Sequence, residues 1–572
     1  MGPKRLSLVA MGLAAVAGGT AMVVLPGRGR PPPAPASRAR PARPSSAPAL
    51  PDGAPDFVFE VVLDLGEDRG QNLGTLFETR DGSGRLVCGA GFPAAYQTRR
   101  IVNNRALEFY ARLPDAAAVV RDLGRTSPQS VRTELVTCGD RLIDVSVGTA
   151  LPRAGAWRPY EGTGLSGRTQ SIQIVAGRPM HFVHRSGDQP VSVVYGGQVL
   201  ASFAGDMLAG LYYGGAMYVA TNVDGAARLY RIRWSPAGGR RGGVRTFDLG
   251  ERVDIYAMIG VGDAVFLGGA PGALFRIRGE EVRRFREAPP PNEFYAFLVC
   301  DDQLLAGHFP TGCLFRVDTE ALRATCLDAP PLRPGQFGAG GGQRYREAQC
   351  LVLHRGDLVV GTYPWGHVWR RDHDTKRWSF RRMYETPAFS SERAPYSDAF
   401  DERIEALRDH PVARDHPAWL KPRTWGQRIS SLIPFEDGLA VGLGNMSGWP
   451  YDPRRDTFFK DREWEQYGHV KHLALPYAVN AEIFWSKFPT RILLAALDDR
   501  LWIVQDGAVL ASTPARFPAG FFDRIARIDV GRGVFGDAGV KMYGATTRRR
   551  SPVDFTDRPD ASAGSRPTRP DR

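Results

Sequence analysis

The chain has 572 residues, of which 43% are hydrophobic and 24% charged, so it is not disordered throughout; its 65 glycines and 44 prolines argue against helical bundles and coiled coils. The formal charge of +13 invites a nucleic-acid reading, but residues 1–50 hold seven basic groups and no acid, and residues 545–572 add a further +3. The intervening 494 residues are left with only about +3, which excludes a strongly basic nucleic-acid-binding body.

In chain order, Lys4-Arg5 precedes twenty uncharged, mostly apolar residues, Leu6 to Leu25. This is a signal peptide, with Ala15-Val16-Ala17 as the small-x-small cleavage form, or an uncleaved signal anchor. Five arginines follow within twenty residues and favour holding that side in the cytoplasm. Export to the periplasm or cell envelope, secreted or membrane-tethered, remains the preferred expectation. Residues 26–55 are rich in proline, alanine and arginine and cannot bury a core; they form a semi-rigid linker. The body runs from 56 to 546, and 547–572 is a polar, basic, disordered tail.

Within the body, internal similarity is the strongest signal. YGGAMYVATNVDGAARLYRI (213–232), VGDAVFLGGAPGALFRI (261–277), CDDQLLAGHFPTGCLFRV (300–317) and HRGDLVVGTYPWGHVWRR (354–371) share one form. A polar turn leads into an apolar strand, a Gly or Pro loop, and an aromatic-Arg pair. Asp-Leu-Gly recurs at 64–66, 122–124 and 248–250, each time closing a strand-like run. A repeat of 40–50 residues holding about four short strands predicts an all-β fold, a β-propeller of seven or eight four-stranded blades. FVFEVVLDLG (57–66) is expected to be the closing strand, completing a blade built from 490–545. A short helical insertion is expected at 386–425, with its helix from Asp398 to Asp409 and His410 and His416 nearby. These repeats resemble, over 57–545, the broad class of bacterial β-propeller repeat proteins, with no specific family matched.

A propeller gathers its strand-entry residues and the loops after its second strands on one face. The entries are Asn72, Asp206, Asp254, Glu293, Glu347 and Arg428; the loops offer His308, Tyr363, Trp365, Asn445 and Trp449. Aromatic rings beside carboxylates, amides and guanidiniums suit a glycan, peptide or protein partner. The first expectation is therefore a binding propeller. An alternative is a carbohydrate-active hydrolase or lyase, with Asp254, Glu293, Glu347, His308 and Tyr363 as weak catalytic candidates. A second alternative is a structural subunit of a membrane complex. No cofactor is expected, and no metal, since His469-x-x-His472 lacks further ligands. Of the six cysteines, Cys313 and Cys326 would lie directly opposite if 318–321 formed the hairpin loop, making them disulfide candidates.

Overall fold

The computed structural model describes residues 55–556 other than 65–72, 94–95, 98–99, 102–105, 114–117, 140, 153–154, 161, 163–167, 177, 185–189, 252, 286–292, 322, 331–346, 364–365, 386–426, 446–464, 484–488, 538–540 and 550–554. The described residues are nearly all β: nine sheets and one 3-10 turn, Phe521–Arg524, with no α-helix among them. The expected helix at 398–409 lies outside the described residues, as do His410 and His416.

Seven sheets carry one plan. Their first strands are Leu135–Cys138, Arg168–Val175, Asp206–Tyr213, Asp254–Val261, Glu293–Cys300, Glu347–His354 and Gln427–Phe435, which define sheets 1 to 7. Each continues as an antiparallel meander, as in sheet 5, where Glu293–Cys300 pairs with Gln303–Phe309, then Leu314–Asp318, then Arg323–Asp328. Burial falls along the meander. EAQCLVLH of sheet 6 is buried at every position, whereas its fourth strand, Trp378–Arg382, is half-buried or exposed. A strand buried on both faces needs a near-continuous apolar run, and the first strands supply one.

Neighbouring first strands lie side by side from sheet 1 through sheet 7, and those of sheets 7 and 1 also adjoin. The architecture is β-propeller-like. Close approach between sheets falls on small residues: a Cβ at Gly260 would sit 2.2 Å from the Tyr213 ring, and one at Gly210 would sit 2.3 Å from Phe182. The repeated aromatic-Arg pairs clamp one sheet to the next. Arg231 donates to the Gly279 carbonyl and pairs with Glu280, and Arg276 donates to the Thr319 carbonyl (2.9 Å) at the equivalent turn of the following sheet.

Sheet 7 has three strands from its own segment, and its fourth is Val119–Arg125, which carries the second Asp-Leu-Gly marker. The first marker behaves differently. Phe57–Asp64 does pair with Thr490–Leu497, and also with Lys541–Arg549. Its five-stranded sheet, however, stands outside the succession of seven and stacks on a six-stranded one. The latter is built from Thr75–Asp81, Leu86–Gly91, Ala106–Ala111, Ala478–Glu482, Ile525–Val530 and Phe555–Thr556. The physical reason lies in the alternation of FVFEVV. Phe57, Phe59 and Val61 form one wide apolar face, and Phe59 stacks on Phe77 at 4.1 Å between centroids. These paired sheets share their own core with Phe109, Ile492 and Ile528.

The paired sheets dock where the first and second strands of sheets 5, 6 and 7 turn, opposite the strand-entry ends. Glu108 and His354, both fully buried, are hydrogen-bonded there through His354 Nδ1. Arg112 reaches Asp357 (2.7 Å) and Asp372 (2.6 Å), and Asn480 Nδ2 donates to the Glu436 carbonyl (3.0 Å). From the six-stranded sheet a hairpin, Tyr96–Gln97 and Arg100–Ile101, projects between the seven sheets. Its backbone pairs at Gln97 with Cys350 and at Tyr96 with Leu351, midway along the first strand of sheet 6. It also runs beside the first strands of sheets 2, 3, 4, 5 and 7. The space the first strands surround is thus filled at mid-depth by the chain's own backbone.

Candidate functional site

The strand register brings the predicted entry residues to one face. Asp206 lies opposite Asn222, Asp254 opposite Ala270, Glu293 opposite Phe309, Glu347 opposite Tyr363, and Gln427 opposite Asn445. The ends of second strands therefore flank the starts of first strands. Asn72, Trp365 and Trp449 lie outside the described residues, and only the backbone of Asn445 is described.

A shared irregularity adds a second layer of side chains. Six of the seven first strands carry a bulge near their start, leaving Gln170, Leu208, Tyr256, Tyr295, Gln349 and Ser430 without a register partner. A bulge re-aims a side chain, and here it turns each toward the entry residues. The Tyr295 hydroxyl donates to Glu293 Oε2 (2.5 Å) and lies 3.4 Å from Glu347 Oε1; its ring stacks on Tyr256 at 5.0 Å. Burial, then the Glu347 and Glu293 charges, push this phenol well above its ordinary range, so it stays a donor. Arg428 donates to Gln349 and reaches Glu347 Oε2 at 3.5 Å. Over sheets 5, 6 and 7 the entry face is thus a closed, buried polar network: Glu293, Glu347 and Arg428 are each less than 8% exposed.

Over sheets 1 to 4 the same face opens into a cavity of about 690 Å³. Its charged and titratable lining is Arg132, Glu134, Arg168, His184, Asp206 and Asp254, alongside the amides of Gln129, Gln170 and Asn222. Glu134, 1% exposed, accepts ion pairs from both Arg132 and Arg168. His184 Nε2 lies 3.2 Å from Asp206 Oδ1.

The structure separates the predicted residues. Asp206 and Asp254 line the cavity, while Glu293, Glu347 and Arg428 form the buried network. Tyr363 is fully buried. His308 turns into its own loop: Nδ1 is 2.9 Å from Thr311 Oγ1, and its ring packs between Phe294 and Phe315. Burial lowers its pKa to about 4, so it is neutral at physiological pH. Of the five catalytic candidates, Asp254 alone lines the open cavity.

Arg132, Glu134, Arg168, His184 and the bulge residues were missed from sequence. The segment 128–203 shows weak repeat similarity, which hid the entries of sheets 1 and 2. The signal that could have revealed most of the bulge layer is a polar or Tyr residue two positions after the entry, as in Asp254-Ile-Tyr256, Glu293-Phe-Tyr295 and Glu347-Ala-Gln349, with Leu208 after Asp206 the exception.

The register assumed for the Cys313–Cys326 pair differs from the one observed. The hairpin turns one residue later than expected, with Asp318 opposite Arg323, and a bulge follows between Leu314 and Phe315. Cys326 consequently faces Phe315 in register while its side chain still neighbours Cys313, and none of the six cysteines is disulfide-bonded in this structure. Partial burial and the neighbouring Cys313 push the Cys326 thiol up to about 12.

Among the described residues, Glu436, Asp437 and His472 bring ligand-type atoms within 4.8 Å of one another. The His472 ring nitrogens and one Glu436 oxygen already have partners. Arg121 Nε donates to His472 Nδ1 (3.2 Å), the other ring nitrogen donates to the Phe435 carbonyl (3.0 Å), and Arg121 pairs with Glu436. A metal would have to displace all three interactions. His469 instead pairs with Asp122 at 3.0 Å, so the two histidines of His469-x-x-His472 serve different partners.

No protein-family model matches the chain, and no curated protein does. Solved structures similar to it include the WD40 β-propeller domain of Doa1 (12% identity, TM-score 0.36, covering 62% of this chain and 95% of that one). The computationally designed Ika8 protein is another (13%, 0.32, 56% and 97%). A third is the extracellular domain of the putative one component system BT4673 from B. thetaiotaomicron (14%, 0.37, 57% and 39%).

Proposed function

We propose that this chain is a binding protein built on a seven-bladed propeller, with its ligand site at the strand-entry mouth. In this reading sheets 1 to 7 are the blades, and Val119–Arg125 closes the ring as the outer strand of sheet 7. The adjacency of sheets 7 and 1, and the pairing of Val119–Arg125 with His469–Ala474, support that closure. The paired sheets and the hairpin at 96–101 obstruct the opposite side, which favours entry at the mouth. The ligand is a glycan, peptide or protein partner met outside the cytoplasm. The apolar run Leu6–Leu25 would direct export or tether the body through the linker at 26–55.

One observation carries the binding reading over the hydrolase reading: the open cavity holds a polar, mixed-charge lining that includes only one of the five catalytic candidates. Fold alone would not choose between them. The test is a glycan- and peptide-array screen of the full chain, with turnover followed on every hit. Binding without product, weakened by Asp254→Asn and unaffected by His308→Gln, is expected. A released sugar or peptide product would overturn the reading.

A further inference from the structure

The cavity at the mouth is electrically divided. At one end Arg132 and Arg168 share the buried carboxylate of Glu134, so among the lining residues of that end two guanidiniums face one carboxylate. Each guanidinium has five N–H donors, more than half of one carboxylate can satisfy, and both arginines are partly exposed, at 32% and 46% of their side chains. Toward the other end, on the next two first strands, stand Asp206 and Asp254. Asp206 is 82% exposed and pairs with the His184 imidazole, and neither Asp206 nor Asp254 forms an ion pair with a Lys or Arg among the described residues. The lining also holds the amides of Gln129, Gln170 and Asn222, the last opposite Asp206 in register, and no aromatic ring is among the described lining residues. A sugar face is ordinarily held by a stacked ring. This lining offers instead bidentate donors for an anionic group and carboxylates for a cationic one. The volume, about 690 Å³, suits a small molecule or a short chain end.

We propose that this cavity is a dipolar site for a zwitterion, an amino acid or a short peptide with free termini. Its carboxylate meets Arg132 and Arg168, and its ammonium meets Asp206 and Asp254. The inference rests on the entry-face binding reading and narrows its ligand class. Neutral amides of the lining would hydrogen-bond the intervening peptide unit, and the hairpin backbone below limits how deep the ligand can go.

The test uses the full chain. A thermal-shift panel of the twenty common amino acids and the Gly-Xaa dipeptides selects the strongest responder, which is then titrated calorimetrically beside its N-acetyl and C-amide derivatives. Either blocking group is expected to weaken binding at least tenfold. Asp254→Asn is expected to weaken the parent at least tenfold while leaving the N-acetyl form within twofold. Arg168→Gln should show the mirror pattern with the C-amide form. The blocked derivatives serve as internal controls, because a misfolded variant would lose all of them together. Failure of every panel member to bind overturns the proposal, as does equal binding of blocked and free forms. A parallel panel of neutral oligosaccharides separates the two levels. A sugar whose binding falls in both variants overturns the zwitterion and keeps the entry-face site; hits from either panel that ignore both variants overturn the site itself.

Discussion

Glu78 offers the sharpest test of the energetics that join the two parts of the molecule. It lies on Thr75–Asp81, is fully buried, and accepts a hydrogen bond from the Val534 backbone N–H while pairing with Arg80 at 3.1 Å. Burial outweighs these contacts and raises its pKa from 4.5 to about 8; the Asp301 and Asp529 charges add to the rise. The folded chain therefore keeps a proton between pH 4.5 and 8 that the unfolded chain releases. Stability must fall as pH rises through this window and level off above it. At about 1.4 kcal/mol per unit, the full shift corresponds to a loss of about 5 kcal/mol. Glu78→Gln carries no titrating proton and can still accept from Val534, and the Arg80 attraction is already contained in the raised pKa. The variant should consequently be more stable than wild type by about 4–5 kcal/mol at pH 9 and close to it at pH 4.5. Urea denaturation at pH 4.5, 7 and 9 measures this directly. A wild-type midpoint that does not fall with pH, or a glutamine variant weaker at pH 9, would refute the reasoning.

Three further outcomes follow from the packing. Gly260→Ala should cost about 1–3 kcal/mol through its clash with Tyr213, and pairing it with Tyr213→Ala should recover part of that loss; additive costs would contradict the contact. Glu108→Gln replaces the buried acceptor of His354 Nδ1 and of the Arg355 backbone N–H with a weaker one and should cost about 1–3 kcal/mol in chemical denaturation, whereas no measurable loss would show the contact to be dispensable. Alkylation of the denatured, unreduced chain should label all six cysteines by intact mass; a mass matching four or fewer would restore a disulfide.

Much of the repeating fold was legible because its determinants are local. The apolar first strands, the aromatic-Arg pairs and the polar entries at 206, 254, 293 and 347 all repeat in sequence, and these strands begin at those positions. The pairing of 57–66 with the 490–545 segment was legible, but not that these strands stand apart as paired sheets. Their strands have the same period-two patterning as the others, and what distinguishes them is long-range pairing of 57–111 with 478–549. Tyr96–Gln97 falls at the end of GSGRLVCGAGFPAAYQT (82–98), a weaker copy of the repeat, so the sequence reads it as part of a blade and nothing marks the hairpin as lying between the sheets. For the site, Asp206 and Asp254 were readable from alignment, while Arg132, Glu134 and Arg168 fell in the weakest repeats. Glu293 and Glu347 were read as surface groups. Only the structure shows Tyr295 and Arg428 drawing them into a buried network. The Cys313–Cys326 register was missed by placing a four-residue loop one position too early, a choice that composition does not settle.

Hydrogen–deuterium exchange of the full chain, with and without the ligand returned by the binding screens, tests the central claim most directly. Protection is expected in segments 129–134, 168–170, 206–208 and 254–256, with no change at the paired-sheet docking turns around Arg355 and Asp301. Protection confined to those docking turns, or to His308 and its loop, would contradict the assignment of the mouth cavity as the binding site.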